Sequence, residues 1–283
     1  MKIEFYRSKI SKIDNYTELY RRCFQNFPKE RNQTYFKWLY GKNPLGEYIG
    51  IDAVDIKKGL HIGQVGGIPF EFNYCGKKIK VLQAIQICLD KNYRGNGIFG
   101  KMATRLEDYA KEKKFSLIIT IANKMAKPAW QHTISMKYLA QLDVLLGYGS
   151  LGLDKLQLSN DIFCSIWDKN RIYWRKENPF NKGSLLKKNK IKLTSPSVLS
   201  LFEVFSFIDN KDFNLNFDRQ KFKILPSLFI GLAPKYIKNV FYFRIPEFIK
   251  PSPLNFLYKD ISNENIILYK KKCYFTYLDF DAY

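Results

Sequence analysis

The sequence predicts an α+β fold: a mixed, mainly antiparallel, twisted sheet flanked by helices. Three observations carry this. Two long apolar-rich runs, His61 to Asn73 and Ile79 to Asp90, are separated by Cys75-Gly76-Lys77, which reads as a tight turn joining an antiparallel hairpin. A glycine-rich turn, Arg94 to Gly100, then opens a helix whose apolar face is Phe99, Met102, Ala103, Leu106, Tyr109 and Ala110. Phe115 to Ile121 follows as a nearly continuous apolar run, the pattern of a strand buried on both faces.

The remaining elements are read in order. Ile13, Tyr16, Tyr20, Cys23 and Phe27 recur at helical spacing, and Pro28 should end that helix. Ile51 to Ile56 reads as a short strand. These elements make one unit over residues 1–150, leaving 151–283 as a second half. In that half Ser195-Pro196-Ser197 looks like a helix start, with an apolar helix through Ile208. Pro226, Pro234, Pro246, Pro251 and Pro253 punctuate a loop-rich stretch, and Cys273 to Phe280 reads as a closing strand. Trp38 followed by Asn43-Pro44 is echoed by Trp174 followed by Asn178-Pro179, each after an aromatic-rich, helical stretch. This is a weak mark of tandem duplication.

The bulk numbers bound the function. With 46% hydrophobic residues in 283, the chain can bury a large core. Its apolar runs, such as Leu225 to Ala233, fall short of the ~18 residues of a membrane span. Met1 to Arg7 has no apolar signal core, so a cytoplasmic location is expected. Five separated cysteines point to reduced thiols, and two histidines, His61 and His132, make a metal site an unpromising reading. A net charge of +21 attracts anions. The lysines are spread along the chain, which speaks against a dedicated nucleic-acid arm.

The turn itself fits three patterns. Gly95, Gly97 and Gly100 satisfy the dinucleotide fingerprint, but the strand before them belongs to a hairpin. The strand after them ends at Thr120-Ile121-Ala122-Asn123 with no carboxylate for a ribose. Gly95, Gly100 and Lys101 approach a phosphate loop, but Met102 stands where a Mg²⁺-binding hydroxyl is needed. The third pattern is Arg-x-x-Gly-x-Gly/Ala, with Phe99 in the last position. Successive N–H groups at a helix start form a nest for a pyrophosphate, and Arg94 adds a charge.

On this third pattern, Ile87 to Phe99 resembles the CoA-pyrophosphate motif of the GNAT superfamily of acyl-CoA transferases, together with the strand before it. The resemblance covers about residues 1–150 and implies a GNAT fold, with 151–283 as a degenerate second GNAT-like half contributing to the acceptor cleft. It implies that acyl-CoA is held by Arg94, Gly95, Asn96, Gly97, Ile98, Phe99 and Gly100, by backbone groups of Ile87 and Leu89, and by Asn123 after the next strand. No metal is implied. The variant Arg-Gly-x-Gly-Ile-Phe and the early Trp38 with Asn43-Pro44 are similar to a branch from bacterial surface-polysaccharide pathways. That branch includes N-acyltransferases acting on nucleotide-linked amino sugars, which would imply a role in O-antigen and lipopolysaccharide synthesis.

The family pattern fails in two places. Relatives often protonate the leaving thiolate with a tyrosine seven residues after the asparagine; here Trp130 stands there, with His132 and Tyr138 as nearby substitutes. Gln86 occupies a position where the branch often has an acid, so Gln86, with Trp38, is a substrate-binding candidate and not a base. Competing readings are an aminoacyl-tRNA-dependent peptidoglycan bridge transferase, which has no need of the pyrophosphate turn, and a basic nucleic-acid-binding protein, for which no recognition motif is present.

Overall fold

A computed structural model describes residues 2–24, 33–179, 183–187, 191–196, 202–208, 213, 215–218, 226–234, 241–249 and 252–280. The first elements are β1 (Ile3–Arg7), α1 (Ile13–Cys23), α2 (Gln33–Gly41), β2 (Ile49–Asp55), β3 (Leu60–Tyr74), β4 (Lys77–Leu89), α3 (Ile98–Glu112), β5 (Leu117–Ala122) and α4 (Ala126–Ile134). Then come β6 (Lys137–Gln141), β7 (Asp143–Gly147), β8 (Phe163–Ser165), α5 (Lys169–Lys176), β9 (Ser184–Lys187), β10 (Ile191–Pro196) and β11 (Glu203–Ile208). The last are β12 (Ser227–Leu232), β13 (Tyr242–Arg244), β14 (Asn255–Asp260) and β15 (Cys273–Thr276).

The chain divides into two compact units, but they are not the consecutive halves 1–150 and 151–283. The first comprises Met1–Phe70, Ile79–Tyr138 and Asn255–Ile267; the second comprises Glu71–Lys78, Leu139–Leu254 and Leu268–Tyr283. The reason is a late strand. β14 pairs antiparallel with β5 from Asn255 opposite Ala122 to Asp260 opposite Leu117, which draws a C-terminal segment into the first unit. Sequence spacing carries no sign of that return.

In the first unit the strands run β1-β2-β3-β4-β5-β14. The β3–β4 hairpin is as expected, and its turn residues Cys75 and Gly76 both have positive φ, 50° and 80°, as a two-residue turn matching strand twist requires. β5 is parallel to β4, from Val81 opposite Leu117 to Ala84 opposite Thr120. On one face of the sheet, α3 and α4 bury Met102, Ala103, Leu106 and Trp130 against Leu82, Ala84 and Ile118. Over the polar side chains of β2 and β3 lie α1 and α2, with Tyr16, Tyr20, Tyr35, Phe36 and Tyr40 almost fully buried. α1 ends at Cys23; Phe27 and Pro28 lie outside the described residues.

In the second unit β9, β10 and β11 form an antiparallel meander, and β11 then pairs in parallel with β12 over Glu203–Ser227 and Val204–Leu228. This repeats the order of β2, β3, β4 and β5. β12 is flanked by antiparallel β7 and β15. The expected helix from Ser195 to Ile208 is corrected: β10 and β11 pair antiparallel with Pro196 opposite Glu203, and 197–201 lie outside the described residues. Val204, Phe205 and Phe207 are β-formers buried in the sheet core, and that packing outweighs a local Ser-Pro start signal. The closing strand is shorter than expected, ending at Thr276 in a single 3-10 turn capped by Asp279. Of the prolines, Pro226 and Pro234 bracket β12; Pro251 lies outside the described residues.

Beneath that turn, Arg171 and Arg175 are 1% and 6% exposed and Asp279 is 2% exposed. Burial pushes the two guanidinium groups down to about 10 and about 9, and pushes the Asp279 carboxyl up. Asp279 accepts from the Ser165 hydroxyl and, at 2.7 Å, from the Thr276 N–H. The echo of Trp38 and Trp174 has a structural counterpart: each is buried on a helix that leads to a buried asparagine, Asn43 or Asn178.

Candidate functional site

The glycine turn is set up by Asp90. Its N–H bonds to the Ile62 carbonyl at 2.8 Å, its carboxylate accepts from the Asn92 N–H at 3.0 Å, and Arg22 pairs with it at 3.3 Å. Buried Tyr93 donates to Asp55 at 2.9 Å, so the chain enters the turn from a fixed point. Gly95 and Gly97 then take φ of 78° and 68°, values that cost a side chain but not glycine. A methyl group at either would meet nothing within 4 Å, so the turn faces open space.

Gly97 is the N-cap of α3 and, as a glycine, offers no side-chain bond; no acid occupies the first turn. The positive end of this 15-residue helix thus has no carboxylate in its own first turn to offset it. Asn96 turns its amide inward, to the carbonyls of Tyr93 and Arg94 at 3.2 and 3.1 Å, and stiffens the turn. Arg94 is exposed, and its Nε donates to the Leu89 carbonyl at 3.1 Å. That bond ties the turn to the end of β4.

Beyond Ala84 the β4–β5 pairing stops, while both strands continue. Thr120 marks the last pair, donating to the Ala84 carbonyl at 3.1 Å. β5 keeps a partner on its other side through Ala122, where Asn255 also donates to the Ala122 carbonyl at 3.0 Å. The two strands thus part over Ile85–Leu89, where Ile87 and Leu89 sit. Here the facing residues also change parity: Leu82 and Ala84 pack on the α3 side, and then Ile87 and Leu89 do. One extra residue is inserted between them, a bulge, and Gln86 has φ 51°. The Gln86 carbonyl accepts from the Tyr20 hydroxyl, and its amide donates to the Tyr35 hydroxyl at 3.2 Å.

The other candidates fall as follows. Asn123 is exposed after β5, and its Oδ1 accepts from the Ala126 N–H at 2.8 Å, capping α4. Phe99 meets Trp130 edge to face, ring centres 5.2 Å apart, and Trp130 is fully buried. His132 is exposed in the last turn of α4; its neighbour Thr133 lies against the start of α3, 3.5 Å from where a Cβ on Gly100 would be. Tyr138 is 43% exposed, with the Lys127 ammonium 3.6 Å from its ring centre. Trp38 is only 5% exposed and packs on Tyr35. Arg94–Gly100, Ile87, Leu89 and the Gly100–Thr133 contact belong to one region of the first unit. Tyr138 lies instead beside Lys127, and Trp38 beside Tyr35.

Sequence reasoning missed a buried polar network under α1 and α2. Asp52, fully buried, accepts from Ser8 at 2.6 Å, Tyr16 at 2.9 Å and the Gln64 amide at 3.2 Å. Gln64 in turn accepts from Tyr40 at 2.9 Å. His61, 7% exposed, has Nδ1 3.9 Å from Asp52. Burial holds the His61 imidazole below its ordinary range and pushes the Asp52 carboxyl up. The signal available was an acid inside an otherwise apolar strand, Ile51-Asp52-Ala53.

Among the described residues no helix is long and apolar enough to cross a membrane, and no cluster of metal-ligating side chains occurs.

Comparison with known proteins agrees with this fold. Residues 4–127 match the family model described as an acetyltransferase (GNAT) domain. No curated protein sequence matches the chain. Among solved structures, a GCN5-related N-acetyltransferase from Kribbella flavida is similar at TM-score 0.62 and 8% identity, over 92% of this chain and 72% of that one. A protein from Enterococcus faecalis described as a probable N-acyltransferase is similar at TM-score 0.60 and 10% identity, over 93% and 73%. Eis1 from Mycobacterium abscessus gives 0.57 and 10%, over 93% and 75%. At such identities these three speak for the fold alone. A helix start with two left-handed glycines beside a parted strand pair lies within residues 4–127, and the match of those residues to the acetyltransferase (GNAT) domain model supports an acyl-CoA-dependent N-acyltransferase.

Proposed function

We propose that Arg94 to Gly100 and the parted edge of β4 hold the acyl-CoA, and that the acyl group, acetyl or longer, passes to the primary amine of a dTDP- or UDP-linked amino-deoxy sugar. The observation that carries the donor half is the start of α3: two left-handed glycines, open space around them and no acid in the first turn. The N–H groups of Ile98, Phe99 and Gly100 would receive the pyrophosphate, with Arg94 as its counter-charge. Asn123 would contact the same cofactor through its NH₂, since its oxygen caps α4. Ile87 and Leu89 would bind the pantetheine arm along the parted edge and polarise the thioester carbonyl.

In the reaction the amine nitrogen attacks the thioester carbon, the C–S bond breaks and CoA leaves as thiolate. The amine gives up one proton and the thiolate takes one. Trp130 is walled off in the core and supplies neither. His132 and Tyr138 are the exposed groups assigned to that transfer. Gln86 and Trp38 are assigned to the acceptor side, Gln86 as an amide that binds and takes no proton. A large part of the rate would come from positioning. The acceptor reading rests on the resemblance of the turn to the surface-polysaccharide branch and on a net charge of +21, which suits a substrate bearing a diphosphate. Such chemistry belongs in the cytoplasm, supplying O-antigen and lipopolysaccharide assembly.

The test is thiol release from acetyl-CoA with a panel of dTDP- and UDP-linked amino sugars. Release that depends on one of them supports the acceptor. Release equal with and without every sugar removes it, and activity that persists without any acyl-CoA removes the donor.

A further inference from the structure

We propose that Tyr20 and Tyr35 are positioning residues for the acyl thioester: they hold Gln86 as the extra, left-handed residue of β4 and so aim the Ile87–Leu89 edge at the bound acyl arm. This rests on the donor reading above.

Positive φ at a glutamine inside a strand is disfavoured, because its Cβ crowds the following carbonyl. Such a residue persists only where its surroundings over-determine it. Here they do so twice. Tyr20 of α1 donates to the Gln86 carbonyl, and the Gln86 side chain donates to Tyr35 of α2 at 3.2 Å. Both tyrosines are fully buried and Gln86 is half-buried, so the two bonds form in surroundings drier than the surface.

The network behind them bears on the direction of the Tyr20 proton. A tyrosine hydroxyl has one proton to give. The Gln86 carbonyl and, at 3.2 Å, Gln64 Oε1 both lie in reach of Tyr20. Gln64 Oε1 is served by Tyr40 at 2.9 Å, and Gln64 is oriented by donating to Asp52 at 3.2 Å and Ser8 at 3.4 Å. Of the two oxygens, the Gln86 carbonyl is the nearer to the Tyr20 hydroxyl, and Gln64 Oε1 keeps its bond from Tyr40 when Tyr20 donates to Gln86. Without the extra residue, the alternation set by Leu82 and Ala84 would turn Ile87 and Leu89 to the opposite face.

The experiment separates the two ends of the cofactor by calorimetry. Wild-type chain, Tyr20→Phe, Tyr35→Phe and the double variant Tyr20→Phe with Gln86→Gly are titrated with acetyl-CoA and with 3′-phospho-ADP, its nucleotide half alone. Tyr20→Phe is expected to weaken acetyl-CoA about five- to tenfold, the worth of one hydrogen bond, and to leave 3′-phospho-ADP within about twofold. Tyr35→Phe should show a smaller loss of the same kind, and it carries the test if Tyr20→Phe fails to fold. Adding Gln86→Gly should restore acetyl-CoA binding, because glycine takes the left-handed conformation unaided. Equal weakening of both ligands, no weakening of either, or no rescue by glycine overturns the proposal. A wild-type chain that binds neither ligand overturns the donor reading itself.

Discussion

Phe99 and Trp130 meet edge to face at 5.2 Å, and each stands where the family pattern has something else. Phe99 fills the position of a small residue at the end of the glycine turn, and Trp130 fills that of a tyrosine acid. The structure makes these one change: the ring at the start of α3 packs on the ring in α4, and Trp130 is sealed from solvent. The first prediction follows. Trp130→Ala should cost about 3–5 kcal/mol of stability, the usual loss for a large buried aromatic, read by denaturant unfolding. Trp130→Phe should cost less and leave acetyl-CoA binding intact, since the indole takes no part in the chemistry.

Gly97→Ala isolates backbone freedom from space. Nothing lies within 4 Å of the added methyl group, so any effect comes from φ 68°. The expected stability loss is about 1–2 kcal/mol, with a CoA affinity loss that exceeds it in proportion because the N–H nest is displaced. Equal stability and affinity to wild type would show that the turn does not need its left-handed residue.

How much of this was legible in the sequence depends on how local each cause is. Gly95 and Gly97 announce themselves because φ is a property of one residue. The α3 face and the β3–β4 hairpin are legible because periodicity and a two-residue turn are short-range. Gln86 is not: nothing in its side chain signals a left-handed bulge, and its causes are Tyr20 and Tyr35, more than fifty residues away. The return of β14 to β5 is silent for the same reason. Ser195-Pro196 misled because its local signal was genuine but weaker than the burial of Phe205 and Phe207 in a sheet.

The buried pair His61 and Asp52 gives a pH prediction. Burial lowers the imidazole's affinity for a proton. Below the ordinary histidine range the unfolded chain therefore binds more protons at this residue than the folded one, and stability falls as pH falls. Asp52, pushed up by burial, acts in the opposite sense at more acid pH. Thermal melts from about pH 7 to about pH 5 should show wild type losing more stability than His61→Phe. Parallel curves would contradict the buried, neutral imidazole.

In the second unit, buried Asp279 feels the charges of two buried guanidinium groups, Arg171 and Arg175, which favour its ionised form against burial. Asp279→Ala removes one of the opposite charges felt by both guanidinium groups, the bond to Ser165 and the cap of the last turn, and should cost about 1–3 kcal/mol. Asp279→Asn keeps hydrogen-bonding capacity but not charge, and should recover part of it. Denaturant melts distinguish the two, and equal, negligible losses would refute the network's role.

The central claim is that the start of α3 is the donor site. Calorimetric titration of acetyl-CoA into wild type and Arg94→Ala, at low and high salt, tests it most directly. The account predicts saturable wild-type binding that weakens with salt, and a loss of about tenfold in the variant, near the worth of one charge-assisted contact. Binding that is absent in wild type, or unchanged by Arg94→Ala and by salt, would contradict it.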